Sequence, residues 1–367
     1  MVSDPLAAVE QKVARGERLD LRDGIVLFES DDLLRLGKLA DAARRGKVGD
    51  EAYFVVNRHI NYTNVCGNHC RFCAFSRDGD QPGAYTLAVE EVADKAREAA
   101  AQGAREIHIV GGEHPTLPYA SVRAMIMEVA KAAPGVHIKA FTASEVVHLA
   151  RREGVSVEEM LRDLVAAGLS SLPGGGAEIF APRVRREVCP AKITGECWLE
   201  VHQIAHRLGL KTTATMLYGH VETLEERVDH LLQLREAQDR TGGFLAFVPL
   251  AFQPRNTLLA HLPGATGVDH LKVLAVARLV LDNFAHIKTY WVMTGLKIAQ
   301  VGLFFGADDL DGTVEEEVIS QMSGADHGQS VSKSELMRVI RDAGRTPVER
   351  DALYDPVESP AHGQAAR

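Results

Sequence analysis

Tyr53-Phe-Val-Val-Asn57-Arg58-His59-Ile-Asn61-Tyr-Thr-Asn64-Val-Cys66-Gly-Asn-His69-Cys70-Arg-Phe72-Cys73 carries a β-branched, aromatic run straight into three cysteines. The run predicts a strand over residues 53–58, and the cysteines then fall in the loop that leaves it. Outward from there, short apolar runs alternate with longer segments whose apolar residues recur at three and four. That is the pattern of repeated βα units around a parallel sheet. Further strands are predicted at 106–110, 137–141, 169–172, 212–218, 244–248, 287–292 and 303–305. Helix starts are signalled where Thr86 precedes Glu90, where Ser156 stands three ahead of Glu159, and where Thr223 stands three ahead of Glu226.

Eight such units predict an α/β fold, a TIM-like (βα)8 barrel whose chemistry gathers at the C-terminal ends of its strands. The predicted strands deliver polar or glycine-rich loops to that rim: Asn57-Arg58-His59, Gly111-Gly112-Glu113-His114, Thr142-Ala-Ser144-Glu145, Pro173-Gly174-Gly175-Gly176-Ala-Glu178, Tyr218-Gly219-His220-Val-Glu222 and Phe252-Gln-Pro-Arg255. Residues 1–52 are expected to form an N-terminal helical extension, 53–310 the barrel, and 311–367 a C-terminal extension with a short helix near 333–343.

The 41 Lys and Arg against 50 Asp and Glu leave a formal charge of −9. No basic stripe is available to neutralise a phosphate backbone, so no nucleic-acid partner is expected and a small molecule is favoured. The N-terminus lacks the basic and apolar regions of a secretory signal, and the most apolar helix, near 271–284, contains Lys272 and Arg278. Neither export nor a membrane partner is expected, and the protein reads as cytoplasmic. Five cysteines, three of them within eight residues, suit metal or redox chemistry in a reducing compartment. Cys189 and Cys197 read as incidental.

The C-x3-C-x2-C run admits two readings. Three thiolates can hold three irons of a [4Fe–4S] cluster and leave the fourth open to substrate. Alternatively, the cysteines with His69 or His59 complete a structural zinc site on a non-catalytic scaffold. The same run, with Phe72 before its last cysteine and a strand ahead of it, resembles the radical S-adenosylmethionine (SAM) superfamily over roughly residues 53–310. The resemblance implies that Cys66, Cys70 and Cys73 bind a [4Fe–4S] cluster and that SAM chelates its open iron. It further implies that Phe72 lies beside the adenine and that Gly111, Gly112 and Glu113 meet the methionine amino group. Glu145 is expected on the ribose hydroxyls or that ammonium, and Glu222 at the end of a strand-five motif that touches adenine. For the glycines a tight turn, and for Glu222 a favourable charge at a helix N-terminus, are the plain structural alternatives.

Longer phrases, among them Ile109-Val-Gly-Gly-Glu-His-Pro115, Ser171-Leu-Pro-Gly-Gly-Gly-Ala-Glu-Ile179 and Met216-Leu-Tyr218-Gly-His220, resemble the branch that builds menaquinone through futalosine and the deazaflavin cofactor. Within that branch they are most similar to the aminofutalosine synthase family. Its sisters, the dehypoxanthine futalosine cyclases and deazaflavin-forming enzymes, stay as alternatives. The resemblance implies a transferase that joins the 5′-deoxyadenosyl group of SAM to 3-[(1-carboxyvinyl)oxy]benzoate, the enolpyruvyl ether of 3-hydroxybenzoate, giving 6-amino-6-deoxyfutalosine. An electron donor such as flavodoxin or ferredoxin is implied as partner. Two substrate carboxylates call for cations or donors on the rim, for which Arg58, His59, Lys139, His220 and Arg255 are the candidates.

Overall fold

The computed structural model describes residues 4–328 and 330–357. Parts of both expected extensions, residues 1–3, 329 and 358–367, lie outside the described residues. Three helices, Pro5–Ala14, Leu21–Glu29 and Leu33–Val48, precede the first strand. The run read as one strand is two: β1 (Glu51–Val55) and β2 (Asn57–Asn61), which join different sheets. With β3 (Glu106–Val110), β4 (His137–Ala140), β5 (Ser171–Leu172), β6 (Lys211–Tyr218), β7 (Phe244–Ala251) and β8 (His286–Ile287), β2 forms a parallel seven-stranded sheet in sequence order. The strand expected at 287–292 is therefore short and gives way to the helix Trp291–Thr294.

Helices cover the outside of this sheet, and the local sequence explains where they begin. Ser156 and Thr223 each accept from the N–H three residues on, while Glu159 and Glu226 reach back to the cap. These are the capping boxes expected. Thr86 does not cap its helix: its hydroxyl pairs with that of Thr63 at 2.8 Å, and Glu91 instead accepts from Ala88 N at the start of Val89–Ala101. Outward-facing residues such as Ile107 and Ile109 are fully buried beneath the helices. Each contributes about 1.5–3 kcal/mol by leaving water.

The eighth barrel strand is not at 303–305, where the chain turns. The gap between β8 and β2 is spanned by residues 309–315, which begin as β9 (Asp309–Gly312). Thr289 N donates to Asp309 O at 2.8 Å on one side, and His59 N to Glu315 O at 2.9 Å on the other. β9 also joins β1 and β10 (Thr346–Glu349) in a separate three-stranded parallel sheet. That sheet, the helix Lys333–Asp342 and Trp291 enclose a second apolar cluster. The acids of 308–311 survive burial because distant cations meet them: Arg278 on Asp308, which also hydrogen-bonds His286, Arg350 on Asp309 at 2.7 Å, and Lys288 on Asp311 at 3.1 Å.

Candidate active site

Inside the sheet lies a cavity of about 300 Å³, within the range of small-molecule sites. All three cysteines of the 66–73 loop border it. Backbone bonds position that loop: Cys66 N donates to Arg77 O at 3.1 Å, Gly67 N to Glu113 O at 3.1 Å, and Arg71 N to Val188 O at 2.8 Å. The turn after β3 presses against it from below. A Cβ on Gly112 would stand 2.3 Å from Val65 O and 2.8 Å from Cys66 Cβ, and one on Gly111 would stand 2.7 Å from the Tyr62 ring. Gly112 is thus required by close packing against the start of the cluster loop, and Gly111 by packing against the exit of β2, whatever else their backbone binds.

Burial raises the pKa of the Cys70 and Cys73 thiols, so the site favours thiols until a metal takes the place of the proton. The donor set fits a cubane better than a single zinc ion. His69 points outward, 57% exposed, to Asp78 at 3.2 Å. His59 sits on β2, deep in the cavity. Among the described residues no three His, Cys, Asp or Glu side chains converge as one metal ion would need. A cubane takes each thiolate at a separate corner.

Next to the cysteines, Glu145 Oε1 accepts from Gly111 N at 3.1 Å and from the Tyr62 hydroxyl at 3.2 Å, and Oε2 from Thr142 N at 2.8 Å. It is therefore the third residue of a capping box as well as part of the cavity wall. Burial, the largest influence, pushes its carboxyl up to about 7 against those hydrogen bonds. Glu113 accepts from the Ser144 hydroxyl and also lines the cavity. Phe72 lines it too, with Lys192 5.6 Å above its ring and paired to Glu178 at 2.7 Å.

The other candidates divide. His59 and Lys139 face the cavity. Arg58, the neighbour of His59 on the strand, points to the opposite face of the sheet. There it pairs with Glu98 at 3.0 Å and Glu316 at 3.0 Å. His220 and Glu222 are fully enclosed behind the rim: Glu222 accepts from Gly219 N at 2.6 Å and from Arg227 at 2.5 Å, and His220 Nε2 donates to Leu217 O at 3.0 Å. Arg255 is exposed and packs on Gly324. None of these four borders the cavity, and Glu222 ties down the loop after β6 through Gly219 N and Arg227.

Two family models match the chain: "Radical SAM superfamily" over residues 60–234 and "CofH/MqnC C-terminal region" over 241–363. Aminodeoxyfutalosine synthases from Thermus thermophilus and Streptomyces coelicolor are 47% and 45% identical, the first covering 97% of both chains, the second 95% of this chain and 92% of its own. The chain belongs to the radical SAM superfamily. This radical SAM enzyme is also 42% identical to the 5-amino-6-(D-ribitylamino)uracil–L-tyrosine 4-hydroxyphenyl transferase of Methanopyrus kandleri, covering 96% of this chain and 95% of that one. Its fold matches crystalline methylornithine synthase at a TM-score of 0.73 and 17% identity, over 92% of this chain and 97% of that one. The superfamily uses a [4Fe–4S] cluster and SAM. Among the described residues no helix is long and apolar enough to cross a membrane.

Sequence reasoning missed much of the cavity of this radical SAM enzyme. Lys192, Glu106, His108, Lys288 and Asp311 all border it. Glu106 and His108 alternate with Ile107 and Ile109, which reads as a strand with a wet outer face. The alternation was the available signal, and in a barrel its polar face can point inward.

Proposed function

We propose that the chain joins the 5′-deoxyadenosyl group of SAM to 3-[(1-carboxyvinyl)oxy]benzoate, forming 6-amino-6-deoxyfutalosine with release of methionine and loss of one carboxyl carbon. The observation that carries this reading is full-length likeness to two aminodeoxyfutalosine synthases. In this reading Cys66, Cys70 and Cys73 hold the cluster, which with SAM supplies a 5′-deoxyadenosyl radical. Glu145 and the backbone of residues 111–113 orient SAM at the rim, and Phe72 flanks its adenine. The enclosed walls, with Val248, Leu250, Tyr290 and Met293, exclude water and other hydrogen donors from the reacting carbon.

The archaeal relatives favour one rival, transfer of a tyrosine-derived hydroxyphenyl group to 5-amino-6-(D-ribitylamino)uracil. Anaerobic incubation with SAM, reductant and either substrate set separates the two. The expected result is a single product carrying the adenosyl group, detected by mass spectrometry, from the enolpyruvyl ether. Hydroxyphenyl transfer from tyrosine, with free 5′-deoxyadenosine, would establish the rival. Cys70→Ala should lose cluster iron and SAM cleavage together; retained cleavage removes the cluster assignment.

A further inference from the structure

The bottom of the cavity is a charged and polar floor that the established chemistry of cluster and SAM leaves unused. His59 and His108 are cross-strand partners on β2 and β3, and His108 and Lys139 are partners on β3 and β4, so the three stand side by side at one level. The two imidazoles lie 4.4 Å apart, centroid to centroid. Lys139 is paired with Glu106 at 2.5 Å, and Lys288 with Asp311 at 3.1 Å. All six residues border the cavity.

Its two lysines are matched by two carboxylates, and three features give it hydrogen-bond donors to offer an anion. His59 is only 5% exposed, yet neither its ring nor that of His108 has a hydrogen-bond partner among the described residues. Both residues line the cavity, so their ring nitrogens open onto it and are not tied up by the protein. Burial holds both neutral near pH 7, His59 down to about 4, and each neutral ring keeps one N–H to donate. Lys288 spends one of its three N–H donors on Asp311, leaving others for the cavity. Lys139 is the less available cation, being closed onto Glu106.

We propose that this floor seats the ring carboxylate of the substrate, with Lys288 supplying charge and His59 and His108 donating N–H bonds. This rests on the reaction proposed above and adds to it an orientation. The reacting methylene must lie near the rim, where the cysteines and Glu145 place SAM. The ring carboxylate, at the far end of the ether and the aromatic ring, then points down. His59 and His108 lie two residues below the ends of β2 and β3, and Glu106 four below. At about 3.3 Å per residue, these are depths of roughly 7 and 13 Å. Apolar Val110 on β3, and Val248 and Leu250 on β7, line the space above the floor where the ring would lie. The floor therefore selects an aryl carboxylate among otherwise similar enol ethers.

The test compares the benzoate ether with the phenyl enolpyruvyl ether, which has the same reacting bond and no ring carboxylate. The wild type should prefer the benzoate in kcat/KM by about 100-fold or more. The preference should collapse in His108→Phe, which keeps a ring against His59 but no donor. It should also collapse in the Lys288→Met/Asp311→Asn double variant, which removes the pair without stranding a charge. Calorimetric titration with 3-methoxybenzoate against anisole reads the same discrimination without turnover, and iron content with thermal melting confirms intact protein. Preference surviving in both variants, or absent from the wild type, overturns the floor assignment and leaves the reaction standing. Turnover of neither ether removes the reaction itself, and this orientation with it.

Discussion

The Tyr62 hydroxyl donates to Glu145 Oε1 across 3.2 Å, beside the Gly111 N–H that shares the same oxygen. The pair ties β2's exit, the turn after β3 and the helix Ala143–Glu153 into one corner of the rim, next to the cluster loop. Burial raises the Glu145 carboxyl to about 7, so it is largely protonated below that pH and charged above it. A carboxylate that accepts from ribose hydroxyls or faces an ammonium acts in its charged form. SAM affinity should therefore strengthen as pH rises from 6 to 8, with a midpoint near 7. Gln can still serve as third residue of a capping box, so Glu145→Gln should keep the fold, lose that pH dependence and bind SAM about 10-fold more weakly at pH 8. Equilibrium dialysis reads both; an unchanged pH profile in the variant removes Glu145 from the SAM site.

Gly112→Ala asks a backbone carbonyl to move. Its Cβ would meet Val65 O at 2.3 Å, and Val65 adjoins Cys66. The cluster loop must shift or the turn after β3 must open, at about 1–3 kcal/mol. Iron per chain after reconstitution should fall well below four, with a lower melting temperature. Gly67→Ala is the matched control, since its Cβ finds only Glu113 O at an ordinary 3.9 Å. Equal iron loading in the two variants would show that the glycine at 112 is not needed for the loop.

Local signals were legible and long-range ones were not. The strand Glu106–Val110 and the capped helices after Ser156 and Thr223 follow from periodicity and cap chemistry within a few residues. The split of the 53–58 run was hidden because no glycine or proline marks Val56, where the chain leaves one sheet for another. The segment that closes the barrel begins Asp309-Leu-Asp311-Gly312, which local propensity reads as a loop. It joins the sheet because Arg350 and Lys288 neutralise Asp309 and Asp311 from elsewhere in the chain, as Arg278 does for Asp308 just before it. At the site, the cysteine loop could be read because its ligands are contiguous. Of the floor, His59 and Lys139 were named from their places near strand ends, but Glu106, His108, Lys288 and Asp311 were not, because the six come from β2, β3, β4 and the β8–β9 region and meet only when the sheet curls.

Arg58 lies on the outer face of its strand. It is 6% exposed, bridges Glu98 and Glu316 outside the barrel, and its Nε, 3.9 Å from Glu315, has no hydrogen-bond partner among the described residues. Its partners are partly exposed, which limits the worth of each pair. Arg58→Ala should lower stability by about 1–2 kcal/mol and leave KM for the aryl ether within about twofold. A large rise in KM at unchanged melting temperature would return Arg58 to the substrate site.

Asn57 governs the strap that brings Asp311 to the floor. Its N–H donates to Thr313 Oγ1 at 3.1 Å, its carbonyl accepts from the same hydroxyl at 2.8 Å, and its side-chain oxygen accepts from Val314 N at 2.9 Å. Val314 is held at φ 50° and Asp311 at φ 68°, left-handed values that cost a β-branched residue most. Val314 is fully buried, so the strap stays in place only while burial and the Asn57 clamp outweigh that strain. Asn57→Ala keeps the two backbone bonds but strands the Val314 N–H, a loss of about 1–3 kcal/mol. Because Asp311 and Glu317 both reach the cavity from this strap, the same substitution should raise KM for the aryl ether several-fold while SAM affinity, set at the opposite rim, holds. A fall in melting temperature with KM unchanged would mean the strap closes the barrel without shaping the substrate site.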